Sequence, residues 1–207
     1  MTNFDQSTDQ LLRRIAADDS AAVSELLTLC RPRIRQTVAV RMDRRMASRV
    51  DPSDIVQETL TEAANRIREY VQVRPVQFFP WLRSIAMNRL VDHHRRHIGA
   101  QRRSVLREQP VQALPLPDES ETDLVRRLAD AHRSGPSGHL ERAERIRRVR
   151  EALHKLPAPE REVLILKYLE QLNAAEIAAV LGIGERTVWR RHARAVESLA
   201  TQLEPDA

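Results

Sequence analysis

The stretch from Gln171 to Leu199, QLNAAEIAAVLGIGERTVWRRHARAVESL, limits the possible folds of this chain more than any other. Ile177, Val180 and Leu181 set apolar groups on one face of a short helix, Gly182 permits a tight turn, and Ile183 and Val188 carry that face into a second helix. Ala178 keeps the crossing point small. The second helix starts after Gly184, a tolerable N-cap, and turns Glu185, Arg186, Trp189, Arg190 and Arg194 away from the face that Val188, Ala195 and Leu199 bury. The pattern is a helix-turn-helix with a basic outward face of major-groove width. A surface helix with solvated arginines is the plain alternative. Trp189 speaks against it, because a buried indole N–H needs an acceptor and its neighbours here are cations.

Composition supports an all-α chain. Aromatic residues make up 3% and there are only 5 glycines in 207 residues, while 42% of the chain is hydrophobic, enough for one or two real cores. The formal net charge is +5, and Lys155 and Lys167 are the only lysines. Arginine is the side chain suited to bidentate contacts with phosphate and guanine, which is mild support for a nucleic-acid partner. Cys30, the single cysteine, cannot form an internal disulfide, and its neighbours Leu26, Leu27 and Leu29 suggest a buried thiol. The N-terminus is polar and the longest aliphatic run, Val163 to Leu166, is far short of the roughly 20 residues that span a bilayer. A cytoplasmic location without membrane insertion follows as an expectation.

From about Asp9 to Ala47 the periodicity predicts two helices, the second capped by Ser20 and broken at Pro32, with Arg31, Arg33, Arg35, Arg41, Arg44 and Arg45 on a solvated face. Asp51 and Pro52 then read as a cap and a first helical residue, opening a helix to about Tyr70 whose Val56, Leu60, Ala63, Ile67 and Tyr70 form one apolar seam. Its other side is an acidic ridge of Asp51, Asp54, Glu58 and Glu62 with Gln57 beside it. Either a solvated helix or a docking face for a basic partner fits that ridge. After a predicted loop from Val71 to Gln77, a helix opens at Phe78 with Pro80 in its first turn, and Phe78, Trp81, Leu82, Ile85 and Ala86 cover its core side. Arg89, Asp92 and Arg96 continue the same face, so the helix must leave the core there. Asn88, Arg89, Asp92, Arg95 and Arg96 then form a polar, phosphate-gripping surface, the alternative being an intrahelical ion ladder. His93, His94 and His97 lack a further ligand at a recognisable spacing, so no metal is expected.

Residues 99–138, rich in Pro and acids and closed by Ser134-Gly135-Pro136-Ser137-Gly138, read as a flexible linker between domains at 1–98 and 139–207; Leu124, Val125 and Leu128 hint at a short helix inside it. The second domain resumes with Ile146, Val149, Leu153 and Leu156, breaks at Pro157-Ala158-Pro159, and continues through Val163, Leu164 and Leu166 into the helix-turn-helix.

Three stretches in order carry a family resemblance: Asp54-Ile55-Val56-Gln57-Glu58-Thr59-Leu60; Phe78 with Trp81, Leu82, Ile85, Ala86, Asn88, Asp92, Arg95 and Arg96; and Leu156-Pro157 with Arg161-Glu162-Val163-Leu164 ahead of the helix-turn-helix. Together they resemble an extracytoplasmic-function sigma factor of the sigma-70 family, with region 2 in the first half, region 4 in the last and region 3 missing. The resemblance implies core RNA polymerase and promoter DNA as partners, with an anti-sigma factor as a further candidate, and it implies no cofactor, metal or catalytic residue. By position it gives Asp54, Gln57, Glu58 and Glu62 to polymerase docking. Trp81, Asn88, Asp92, Arg95 and Arg96, with the Val71 to Gln77 loop, fall to minus-ten capture and melting, and Glu185, Arg186, Trp189, Arg190 and Arg194 to the minus-35 groove. Gly184 and Trp189 depart from the family's usual Ser or Thr and small or basic residue. A free-standing helix-turn-helix regulator is the rival reading, but it leaves the ridge and the Phe78 to Arg96 helix unexplained. An enzyme is a weaker rival, since no phosphate loop or nucleophile motif is present.

Overall fold

The computed structural model describes residues 3–47, 49–97, 116–131 and 139–203. They are helical throughout, and the chain separates into two compact units at residues 1–115 and 116–207.

The N-terminal unit holds α1 (Asn3–Ala16), α2 (Ser20–Arg41), the short α3 (Arg44–Ala47), α4 (Pro52–Val73) and α5 (Phe78–His97). Helices α2, α4 and α5 pack on one another, and α1 closes over α2 and α4. Leu26, Ile34, Ile55, Ile67, Leu82, Ile85 and Leu90 are fully buried between them, each such side chain contributing roughly 1.5–3 kcal/mol of transfer free energy. Cys30 is buried and forms no disulfide.

The cap of α2 is Asp19 rather than Ser20: its carboxylate accepts from the backbone N–H groups of Ala21 and Ala22, and Arg14 holds it in place. Nor does Pro32 break the helix. It sits inside α2 with Leu26, Cys30, Ile34 and Val38 buried on either side, and that continuous seam outweighs a proline cost of about 3 kcal/mol. Two arginines expected in solvent are packed instead: Arg41 is buried, and Arg33 lies over the rings of Phe4 and Phe79 at 4.5 and 3.7 Å.

Asp51 caps α4 as its spacing predicts, accepting from Ser53 N–H at 2.7 Å, with Pro52 in the first turn. The helix runs three residues past Tyr70, so the loop that follows is only 74–77. Arg74 ends it in the left-handed region at φ 42°, and the Tyr70 hydroxyl donates to the Val76 carbonyl at 2.8 Å, clipping the loop to the helix.

The C-terminal unit is larger than the sequence predicts. About a third of the expected linker is α6 (Asp118–Ala131), which buries Leu124, Val125, Leu128 and Ala129 against α7 (His139–Lys155) and the π-helical turn Ile165–Leu169. The acids that suggested a linker, Asp118, Glu119 and Glu121, occupy the first turn of α6, where the helix dipole favours them, and Glu121 also pairs with His154. Then come α8 (Ala158–Leu164), running directly into the π-turn, α9 (Ala174–Leu181) and α10 (Glu185–Leu203). α10 packs on α7, α8 and α9 and buries Val188, Ala195 and Leu199.

Candidate nucleic-acid interface

In the C-terminal unit, α9 begins with a capping box: the Asn173 side chain accepts from Glu176 N–H, and Glu176 reaches back to the Asn173 N–H. The local sequence signal for this start is the Asn-x-x-Glu spacing, which apolar periodicity alone does not reveal. Gly182 ends α9 at φ 64°, donating to the Ala178 carbonyl. A Cβ built there meets nothing within 4 Å, so its requirement for glycine is conformational rather than steric. Ile183 N–H also bonds the Ala178 carbonyl, at 3.0 Å, and Gly184 starts α10 by accepting from Thr187 and Val188. The turn fixes which face of α10 looks outward. Glu185, Arg186, Trp189, Arg190 and Arg194 are all exposed, while Val188 and Ala195 are buried behind them.

Trp189 is 53% exposed, with Lys167 of the π-turn lying over its ring at 5.2 Å from the centroid. One helical turn on, Tyr168 shares a 3.1 Å hydrogen bond and a stacked ring contact with His192. Burial and the nearby charge of Lys167 hold the His192 imidazole below its usual pKa. Burial also pushes the Tyr168 phenol up.

In the N-terminal unit, the two surfaces predicted on α4 and α5 meet. Asp54 and Gln57 are exposed, and Gln57 accepts from Arg31 at 2.7 Å. Glu58 lies 3.1 Å from His93 Nε2. Glu62 accepts from Arg89 at 2.7 Å and from Arg66 at 3.0 Å. Partial burial works against ionising Glu62, yet the two guanidinium contacts keep its pKa below the ordinary glutamate value. Glu62 therefore joins α4 to α5 rather than standing free on the ridge, and Arg89 pairs across helices rather than within an Arg89, Asp92, Arg96 ladder. Asn88, Arg95 and Arg96 are exposed and Asp92 is half-buried.

Trp81 needs correcting as a nucleic-acid contact. It is 9% exposed and packs on Tyr70 and Phe78 at centroid distances of 4.6 and 5.5 Å, so its rings support the surface from beneath. Burial in this aromatic cluster raises the Tyr70 phenol to about 12. Among the described residues no group of three His, Cys, Asp or Glu side chains is placed to hold a metal, and no helix is long and apolar enough to cross a membrane.

The sequence pattern of sigma-70 region 2 matches residues 30–98, the core of the N-terminal unit, and that of sigma-70 region 4 matches residues 146–199, which include the helix-turn-helix. The chain belongs to the sigma-70 family. It is an alternative RNA polymerase sigma factor of the extracytoplasmic-function type. It is similar to the extracytoplasmic-function RNA polymerase sigma factor SigD of Mycobacterium tuberculosis, 29% identical over 203 residues that cover 98% of this chain and 87% of SigD. The probable RNA polymerase sigma factor RfaY of Xanthomonas campestris pv. campestris is 28% identical over 192 residues, 93% of this chain and 43% of RfaY, so the chain spans less than half of that relative's length. FliA, an RNA polymerase sigma factor of Escherichia coli K12, is 40% identical over 86 residues, 41% of this chain and 36% of FliA. A solved structure of CnrH in complex with the cytosolic domain of CnrY is similar at a TM-score of 0.48 and 21% identity, covering 97% of this chain and 99% of that one. In a sigma-70 member, α6 and the first turns of α7 lie outside both matched regions.

Proposed function

We propose that this sigma factor docks on core RNA polymerase through the exposed end of the α4 ridge, Asp54 with Gln57 and Glu58, and directs promoter recognition with two separate surfaces. Glu62 acts one step back, holding Arg89 and thereby setting α5 against α4. Asn88, Asp92, Arg95 and Arg96 on α5, with the 74–77 loop, take unpaired bases and phosphates of the minus-ten element. Unpairing a base costs a few kcal/mol, and charged and polar groups on a rigid helix can offset part of that. Glu185, Arg186, Trp189, Arg190 and Arg194 enter the major groove of the minus-35 element, where one bidentate contact is worth about 1–3 kcal/mol. No cofactor and no catalysed reaction enter this reading, and the protein works in the cytoplasm, where polymerase is.

The observation that supports the reading best is the outward row Arg186, Trp189 and Arg190 on a helix whose opposite side is fully buried. Transcription with purified core enzyme, on duplex and on pre-melted templates, tests it. Arg186→Ala should impair closed-complex formation on both templates, whereas Asn88→Ala should slow opening on duplex and be partly rescued by the mismatched template. The same defect in Arg186→Ala and Asn88→Ala on both templates would refute the division of labour. Normal transcription by both variants, with core binding intact, would refute the minus-ten and minus-35 assignments. An anti-sigma factor would have to cover one of these surfaces; co-purification from cells, lost on Asp54→Arg or on Arg186→Ala, identifies which.

A further inference from the structure

Trp189 combines two properties on a helix proposed to lie in a groove. Its indole is the largest exposed apolar surface of the described part of α10, at 53%, and one side of its ring is occupied by Lys167. Lys167 and Tyr168 are consecutive on the π-turn, and they meet Trp189 and His192, which lie one turn apart on α10. The turn thus braces this side of α10 at two points. A cation within about 6 Å of an indole centroid attracts the ring, so the exposed part of Trp189 is held rather than left to sample rotamers. Arg186 lies three residues before it, one turn back on the same face, and Arg190 follows it directly, so the row moves as one.

In a duplex the base faces are stacked out of reach, so an indole in the major groove meets only edges. Beside hydrogen-bond donors, acceptors and small C–H groups, those edges carry one projecting apolar group, the 5-methyl of thymine, and the indole has a single N–H and is otherwise apolar. We infer that Trp189, positioned by Lys167, reads a thymine methyl in the upstream promoter element and sets a thymine preference at that base pair. The inference rests on the proposed role of α10 in the minus-35 groove and adds the chemistry of one position to it. It also gives Lys167, which lies outside the recognition helix, a positioning role.

The test uses core polymerase carrying the full chain, selecting from duplexes randomised across the upstream element. The wild type should enrich a motif with a fixed thymine, and Trp189→Ala should lose the preference at that thymine while keeping preferences elsewhere. The selected duplex is then remade with deoxyuridine at that position, which removes the methyl alone. Wild-type affinity should fall about three- to fivefold, the scale of one methyl removed from an apolar contact, while Trp189→Ala should show a ratio near one. Lys167→Met should lower the thymine-to-uracil ratio and Lys167→Arg should preserve it, a readout that loss of stability alone would not move. A Trp189→Ala protein with the wild-type motif and ratio overturns the inference, and an unchanged ratio in Lys167→Met overturns the positioning role. If Arg186→Ala also leaves the motif untouched, the helix-turn-helix is not the reader, and the proposed function fails instead.

Discussion

In the N-terminal unit two carboxylates of α4 are turned onto α5, Glu62 to Arg89 and Glu58 to His93, whereas in the C-terminal unit Arg186, Arg190 and Arg194 stand on α10 without an ion pair among the described residues. The two surfaces are prepared for different work. Guanidinium groups left in water at a helix surface lose little on meeting phosphate or a guanine edge, since no internal partner must be given up. The cross-helix ion pairs, over an aromatic floor of Tyr70, Phe78 and Trp81, give the α4 and α5 surface the fixed geometry that its proposed hold on unpaired bases would need.

The largest expected effect lies on the open surface. Replacing both Arg186 and Arg190 by Ala should weaken holoenzyme binding to duplex promoter by about thirtyfold or more if each makes a bidentate base contact worth about 1–3 kcal/mol. Where either arginine also neutralises a phosphate, the salt dependence of binding should become shallower. Circular dichroism should show no loss of helix, because both side chains are exposed. A fall below about threefold would mean that these arginines do not touch base edges.

On the tied surface the first effect should be on stability. Glu62→Ala leaves the Arg89 side chain, 33% exposed, without its carboxylate. We expect a loss of about 1 kcal/mol, the low end for a charged group losing its partner because a third of Arg89 still meets water. Denaturant unfolding of Glu62→Ala, Arg89→Ala and the double variant would measure the coupling; additive losses would show that the contact does not brace the helices. Asp54→Arg is the contrast within the same ridge. It should change stability by no more than about 0.5 kcal/mol, being exposed, yet impair core binding in a competition assay.

Acidification weakens both units, but in different pH windows. His192 has its pKa lowered by burial and by Lys167, so the fold favours its neutral form, and this contribution is complete above the ordinary histidine range and declines as pH falls below about 6.5. Glu62 has its pKa lowered in the folded state, so its contribution persists above about 4.5 and is lost only below that. Melting curves between pH 7 and pH 5 should therefore show a decline that His192→Gln reduces and Glu62→Gln does not.

How much of this could be read from residues alone depended on the range of the physics involved. The helix-turn-helix was legible because Gly182, the apolar spacing and the outward arginines are all local signals, and the start of α4 was legible because Asp51 and Pro52 act within one turn. Pro32 misled because its cost is local and the seam that overrides it is tertiary. The same holds for α6, whose acids read as solvated linker until the packing of Leu124, Val125 and Leu128 is seen. Trp81 and Glu62 were named from position in a pattern. Which way each side chain faces was decided by neighbours 11 and 27 residues away, Tyr70 and Arg89.

The smallest expected effect concerns how helices begin. Two long helices of the N-terminal unit, α2 and α4, are capped by aspartates that accept from first-turn N–H groups, whereas α10 begins at Gly184, which has no side chain to offer. A Cβ at Gly184 meets nothing within 4 Å and its φ is not in the left-handed region, so serine fits without strain. Gly184→Ser should stabilise the C-terminal unit by a few tenths of a kcal/mol, the usual difference between these caps, raising its melting temperature by about 1–2 °C. The hydroxyl also stands at the end of α10 that leads into the proposed groove, where its O–H can donate to a phosphate while its lone pairs accept from a first-turn N–H. Melting and duplex affinity measured on the same variant separate the two uses. A higher melting temperature with unchanged affinity would make Gly184 a cap left unfilled, and higher affinity without thermal gain would place the helix terminus at the DNA backbone. No change in either would show that the first turn of α10 is already satisfied by water, and that the contrast in capping between the two units carries no energetic weight.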